Sequence, residues 1–150
     1  MKYSIPSFDL CNTESCLTSL HICTIFKNKS PIIRTTNEPI AFKLPNGDYS
    51  LTTHAEMNAI HKLKNRLNKN RINKTTRSTN NRTISRYTMI IVRYGRNGQL
   101  LNSYPCNLCI EIIKSIGINI EKIIYSSENG EIISCSINDL EYNDRQCRLL

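Results

Sequence analysis

Arg86-Tyr-Thr-Met-Ile-Ile-Val-Arg93 is the stretch on which the fold turns. Met89 to Val92 is an unbroken apolar run, and the turn residues Gly95, Asn97 and Gly98 close it soon afterwards, so it reads as a buried central strand. Its flanks have a different rhythm. On the N-terminal side Met57, Ile60, Leu63 and Leu67 recur at three and four residues, the spacing of one helical face. Thr53 and Glu56 have the form of a capping box, which places the helix start at His54 or beside it and its end near Asn70. On the C-terminal side Leu108, Cys109, Ile112, Ile113 and Ile116 mark a second helical face, stopped by Gly117.

Farther out, His21 to Lys27 and Pro31 to Thr36 are β-rich and separated by the turn-like Asn28 to Ser30, which predicts a hairpin. Ile120 to Tyr125 and Glu131 to Ser136 read as two more strands. Only Ser126 to Gly130 separate them, too little chain for a parallel crossover, so this last pair is expected to be antiparallel. Phe8 to Leu20 reads as a helix after Ser7, and residues 138–150 as a short helix or tail. The expected order is β-β-α-β-α-β-β, with helices flanking a mixed five-stranded sheet.

The 150 residues, 39% of them hydrophobic, suffice for one globular domain, with a core from about residue 20 to 136. The net charge of +8 is unevenly placed. Lys62 to Arg86 holds nine basic residues and no acidic one, leaving 11 basic against 12 acidic elsewhere, or −1. The body is therefore near neutral, and the basic character belongs to one segment. That segment reads as a solvated insertion without interleaved aromatics; the alternative is a phosphate-binding arm for nucleotides or nucleic acid.

No apolar run approaches the ~20 residues of a membrane span, and the first twenty residues, with Asp9 and Glu14, do not form a secretory signal. A cytoplasmic location is expected. Seven cysteines, an odd number without a secretory signal, argue against a disulfide framework. Cys11, Cys16, Cys23, Cys135 and Cys147 read as core or idle thiols, and His21 and His61 as structural histidines.

Two clusters remain, His54-Ala55-Glu56 and Pro105-Cys106-Asn107-Leu108-Cys109, each at an expected helix start. Cys106 and Cys109 project to one side of a first helical turn, where the helix dipole favours thiolates. With His54 they make a three-ligand zinc site that keeps a fourth position for water. Glu56, about 200° from His54 on a regular helix, is set to move protons rather than ligate. Taken singly, Pro-Cys-x-x-Cys could instead be half a zinc ribbon, a redox pair or two buried thiols, and Glu56 could be only the partner of Thr53.

In combination the two clusters resemble the His-x-Glu and Pro-Cys-x-x-Cys signature of the zinc-dependent cytidine/deoxycytidylate deaminase superfamily. Thr-His-Ala-Glu-Met-Asn-Ala-Ile (53–60) looks closest to the deoxycytidylate branch. The resemblance spans about residues 20–136 and implies a three-layer α/β/α cytidine-deaminase-like fold and Zn2+ held by His54, Cys106 and Cys109. It further implies hydrolytic release of ammonia from a cytosine-type nucleoside or nucleotide, with Glu56 as proton shuttle. Asn37 matches by position an Asn that contacts the substrate sugar, and Ala55 falls at a substrate-facing position. A homo-oligomer is also implied. Two features depart from that branch: no Gly-rich loop lies between Asn37 and His54, and the last strands read as antiparallel.

Overall fold

The structure is a computed structural model that describes residues 19–38, 42–43, 49–50, 53–72 and 85–143, with only the backbone described at 42–43, 49–50 and 71–72. Strands β1 (Ser19–Lys27) and β2 (Ser30–Thr36) form the expected hairpin. Its turn holds Asn28 at φ 59, a left-handed conformation that Asn tolerates because its short polar side chain can bond locally. Next come β3 (Phe42–Lys43) and β4 (Tyr49–Ser50), a small antiparallel pair apart from the main sheet, and helix α1 (Ala55–Ile72). The chain continues through β5 (Tyr87–Gly95), β6 (Leu100–Leu101), α2 (Asn107–Ser115), β7 (Ile120–Ser126) and β8 (Ile132–Ser136) to a 3-10 turn at Ile137–Asp139.

The main sheet runs β2-β1-β5-β7-β8, the five strands expected, and β6 folds back on β5 as a sixth. β5 and β7 are parallel, joined by the crossover through α2; the other pairings are antiparallel, including the final β7–β8 pair. Nearly every residue of β5 is buried, as its uninterrupted apolar run requires. Its side chains divide by the period of two. Tyr87, Met89 and Ile91 join Cys23 and Ile25 of β1, Ile123 of β7, Ala59, Ile60 and Leu63 of α1, and Ile110 and Ile113 of α2 in one cluster. Ile90, Val92 and Tyr94 join Ile22, Phe26 and Ile124 in a second, also buried, cluster on the opposite face. Both faces of the sheet are thus covered, in keeping with an α/β/α arrangement, and both described helices pack on the first face.

Helix α2 stops where the sequence requires. Gly117 sits at φ +70 just past the C-cap Ile116, whose N–H bonds Ile112 O at 3.1 Å. Residues other than Gly or Asn would be strained in that conformation. No helix among the described residues is long and apolar enough to cross a membrane.

Several expectations need correction. Ser19 and Leu20 belong to β1 rather than to a preceding helix; the rest of that expected helix, with Cys11 and Cys16, lies outside the described residues, as does Cys147. Helix α1 begins at Ala55, so His54 occupies the cap and Thr53 falls one place too early for a capping box. The Thr53 backbone instead bridges to Glu38, with N–O distances of 2.9 and 3.1 Å. The first part of the basic segment, through Ile72, is helix, close to the expected end near Asn70, and residues 73–84 lie outside the described residues. Finally, the core extends past 136. Leu140 is 2% exposed, and Tyr104, Asn107 and Lys114 all bond the backbone of Leu140 to Asn143.

Candidate metal centre

The start of α1 is tied to β2. Thr35 Oγ1 donates to Ala55 O at 2.7 Å, and Asn58 Nδ2 to Thr36 O at 3.1 Å. The first turn is therefore fixed against the sheet, and His54, immediately outside it, is free of helical geometry. Its carbonyl accepts the Asn58 N–H at 3.1 Å, the first bond of the helix. Resolving the 200° divergence from Glu56 thus requires no distortion: one residue precedes the helix and the other lies within it.

The start of α2 is fixed by a different network. Buried Ser103 donates from Oγ to Ile91 O at 2.7 Å and accepts the Ser126 N–H at 2.8 Å, while Ser126 Oγ donates to Leu101 O at 2.6 Å. These bonds pin the loop after β6 to β5 and β7. Cys106 then takes the N-cap position in extended conformation (φ −72, ψ 164) and makes no side-chain capping bond. A Ser or Asp there would turn its oxygen onto the helix N–H groups; cysteine is a poor cap, and its sulfur points elsewhere.

It points at His54. His54 Nδ1 lies 3.3 Å from Cys109 Sγ and 3.5 Å from Cys106 Sγ, and the three candidate ligand atoms lie within 4.8 Å of one another. Zinc–nitrogen and zinc–sulfur bonds of about 2.0–2.1 and 2.3 Å, meeting at a tetrahedral angle, would separate N and S by roughly 3.5 Å. The spacing is that of donors sharing one ion. Among the described residues no other His, Cys, Asp or Glu belongs to this group, so these residues supply three donors, one nitrogen and two sulfurs. Neither cysteine forms a disulfide, nor do Cys23 and Cys135.

Glu56 is 2% exposed, and its Oε2 has no hydrogen-bond partner. Burial holds its carboxyl above the ordinary carboxylate range, against the opposing pull of the nearby His54 charge. A buried acceptor without a partner is costly, of order 1–3 kcal/mol, and it lies within electrostatic reach of both His54 and Cys106. A group donating a proton from the metal position would relieve it. The orphaned oxygen and the N/S donor set together fit a bound metal ion.

A raised carboxyl in the folded state stabilises the fold fully below the ordinary value of 4.5, and that contribution is lost as pH rises through the raised value. Glu56→Gln should therefore melt higher than the metal-free wild type at pH 8, on the order of 2–4 °C for each kcal/mol recovered. The gap should narrow as the pH falls toward 5. Differential scanning fluorimetry across that range checks it; a gap that widens on acidification would contradict the assigned cause.

His21 enters the same neighbourhood from β1. Its pKa is pushed down to about 3, first by burial and then by the positive charges of Arg93 and His54, so the ring is neutral. Nothing in the sequence marked it as a neighbour of His54, because β1 register alone brings it there. Asn37 lies at the end of β2, where its Oδ1 accepts the His21 N–H at 2.9 Å and its Nδ2 donates to Ser19 O at 3.5 Å. Ala55 is fully buried, its carbonyl taken by Thr35. The six residues named from sequence thus separate. His54, Cys106 and Cys109 converge with Glu56 beside them, whereas Asn37 is bonded to the edge of the hairpin.

The fold and the donor set define a mixed α/β protein with a His/Cys/Cys group able to hold a metal ion. In comparisons with protein-family models, with characterised proteins and with solved structures, nothing matches the chain.

Proposed function

We propose that the protein is a zinc-dependent hydrolase that removes ammonia from a cytosine-type nucleoside or nucleotide, and that it works in the cytoplasm. The observation that carries the proposal is the approach of His54 Nδ1 to within 3.5 Å of both Cys106 and Cys109 Sγ, beside a buried Glu56 oxygen with no partner. Zinc is favoured because nitrogen and thiolate donors suit it better than magnesium or calcium, and three protein donors are the usual complement of a catalytic rather than a structural site. When bound, zinc supplies a water acidified toward neutrality and a Lewis acid.

The remaining chemistry falls to the chain. Glu56, its pKa raised by burial, sits nearer than an ordinary carboxylate to the range in which a group both takes and returns a proton at neutral pH. In the proposed reaction Glu56 takes one proton from the attacking water and gives it to the ring nitrogen, which keeps it. It then takes the second from the hydroxyl on the ring carbon and gives it to the amine, which departs as the C–N bond breaks and the C–O bond becomes a carbonyl. The sum is one water consumed and one ammonia released. Neutral His21 avoids adding a second positive charge beside His54.

Substrate orientation is assigned to two backbone-linked groups. The Ala55 N–H is the first of α1 and has no carbonyl within the helix to meet, which leaves it available to the base. Asn37 is bonded weakly through Nδ2, at 3.5 Å, and can offer that amide to a sugar hydroxyl while Oδ1 stays on His21. A homo-oligomer belongs to the same proposal, and light scattering checks it.

The test is ammonia release by zinc-loaded protein from cytidine, deoxycytidine, their monophosphates, adenosine, guanine and short oligonucleotides. Release from a cytosine-bearing monomer is expected. Release from purines alone would overturn the base assignment, and metal binding without turnover on any of them would overturn the enzymatic reading.

A further inference from the structure

The metal centre occupies one end of α1, and the remainder of that helix presents a different surface. From Met57 to Ile72 the sequence contains no acidic residue, and Lys62, Lys64, Arg66 and Lys69 are all exposed. Lys62, Arg66 and Lys69 recur at four and then three residues and therefore form one stripe. With Asn65 and Asn70 they line a surface hollow of about 330 Å3. Arg66 anchors it to the sheet, donating from Nη1 to Ile32 O of β2 at 3.0 Å. Among the described residues no acidic side chain pairs with these cations, while the ion pair found there, Arg86–Glu121 at 3.6 Å, lies outside the stripe.

Uncompensated like charges on one helix repel one another at a cost in helix stability. A chain with −1 outside its basic segment has not gathered these cations to serve a generally basic surface. We infer that the Lys62–Arg66–Lys69 face of α1 is a docking surface for the phosphate backbone of nucleic acid.

Three features select that partner. Among the described residues the large exposed hydrophobic ones, Ile132, Ile133 and Tyr142, all lie elsewhere, so Lys62, Arg66 and Lys69 are not interleaved with the apolar side chains that hold an amphipathic helix in a bilayer. Lysine is depleted in protein–protein interfaces and enriched where phosphates are met, which disfavours an acidic protein. The face also lacks aromatic side chains, so it would grip the backbone without reading sequence. Asn65 and Asn70 add neutral amide donors to the same hollow, as a phosphate oxygen requires.

The inference goes beyond the hydrolytic reading and is tested apart from it, because binding is measured on Glu56→Gln protein. The probe is a fluorescein-labelled 15-mer of mixed sequence, titrated by anisotropy between 50 and 250 mM salt. Affinity should fall steeply with salt. Each neutralised phosphate of a single strand contributes about −0.7 to the log–log slope, so Lys62→Gln/Lys69→Gln should flatten the slope by about 1.4 and weaken binding at least tenfold at 150 mM salt. Neither lysine makes a described contact, so this double variant should fold; Arg66→Gln, added as a third change, should flatten the slope further.

A control, Arg96→Gln/Lys122→Gln, removes the same charge from exposed sites on other elements and should bind as the parent does. An unchanged slope in the α1 variant, or an equal loss in the control, would overturn the assignment. So would binding to vesicles of phosphatidylserine and phosphatidylcholine, or to poly-glutamate, as tightly as to the oligonucleotide. Ammonia release from a free nucleotide together with failed oligonucleotide binding would defeat this inference alone; intact binding without turnover would defeat only the hydrolytic one.

Discussion

Glu56→Gln should retain its zinc and lose turnover. The substitution keeps the shape of the side chain, leaves His54, Cys106 and Cys109 in place and removes the only buried carboxylate that faces the cluster among the described residues. General acid–base catalysis commonly contributes 10²–10⁴ in rate, and a loss of about that size is expected in kcat. Metal content by mass spectrometry should equal that of the parent. Because Glu56 is not among the three donors that lie together, a variant that lost its zinc would show that the carboxylate ligates, and normal turnover would show that it moves no proton.

Replacing a donor should have the opposite signature. Cys109→Ser alters a fully buried residue whose sulfur lies 3.3 Å from His54 Nδ1. It removes a soft thiolate that zinc prefers and substitutes a neutral hydroxyl, so zinc content should fall from near one equivalent to a small fraction. Ligand linkage makes the same event visible as stability. An ion present at a hundredfold its Kd stabilises the fold by about 2.7 kcal/mol, which in a protein of this size raises Tm by roughly 5–11 °C. The parent should show that rise when zinc is added to metal-free protein, and Cys109→Ser should show almost none. A variant that keeps both zinc and the thermal shift would remove Cys109 from the donor set.

Most of what could be read from the sequence depended on local spacing. The apolar run at Met89 to Val92, the three-and-four rhythm of α1, and Gly117 at the end of α2 each encode a structure within a few residues, and each element formed where expected. The three donors were legible for a related reason, since each sits at a helix boundary that the same signals locate. What was hidden depends on register and on distant partners. β6 is two residues long and has no periodicity to display. His21 comes within electrostatic reach of His54 only in the folded chain, from a strand whose register sets it opposite Arg93 of β5.

The pair Ser103 and Ser126 looked like ordinary polar residues until strand pairing brought them within 2.9 Å. The docking of the segment after β8 was equally invisible. Asn107, inside the Cys-Asn-Leu-Cys motif, had no visible reason to be an amide. It binds the Asn143 backbone through both its atoms, donating to O at 2.6 Å and accepting from N at 2.9 Å.

The two sides of the candidate centre come from segments 52 residues apart in the chain, and the path between them passes through α1, the basic stretch and the central strand. A cation gripped from both sides would therefore work as a removable cross-link. By the loop-entropy relation used for disulfides, tying a circuit of that length withdraws roughly 4 kcal/mol of freedom from the unfolded chain. The proposed reagent of the chemistry would thus double as a staple of the architecture, and a cell short of the metal would forfeit part of the protein's durability along with the proposed activity.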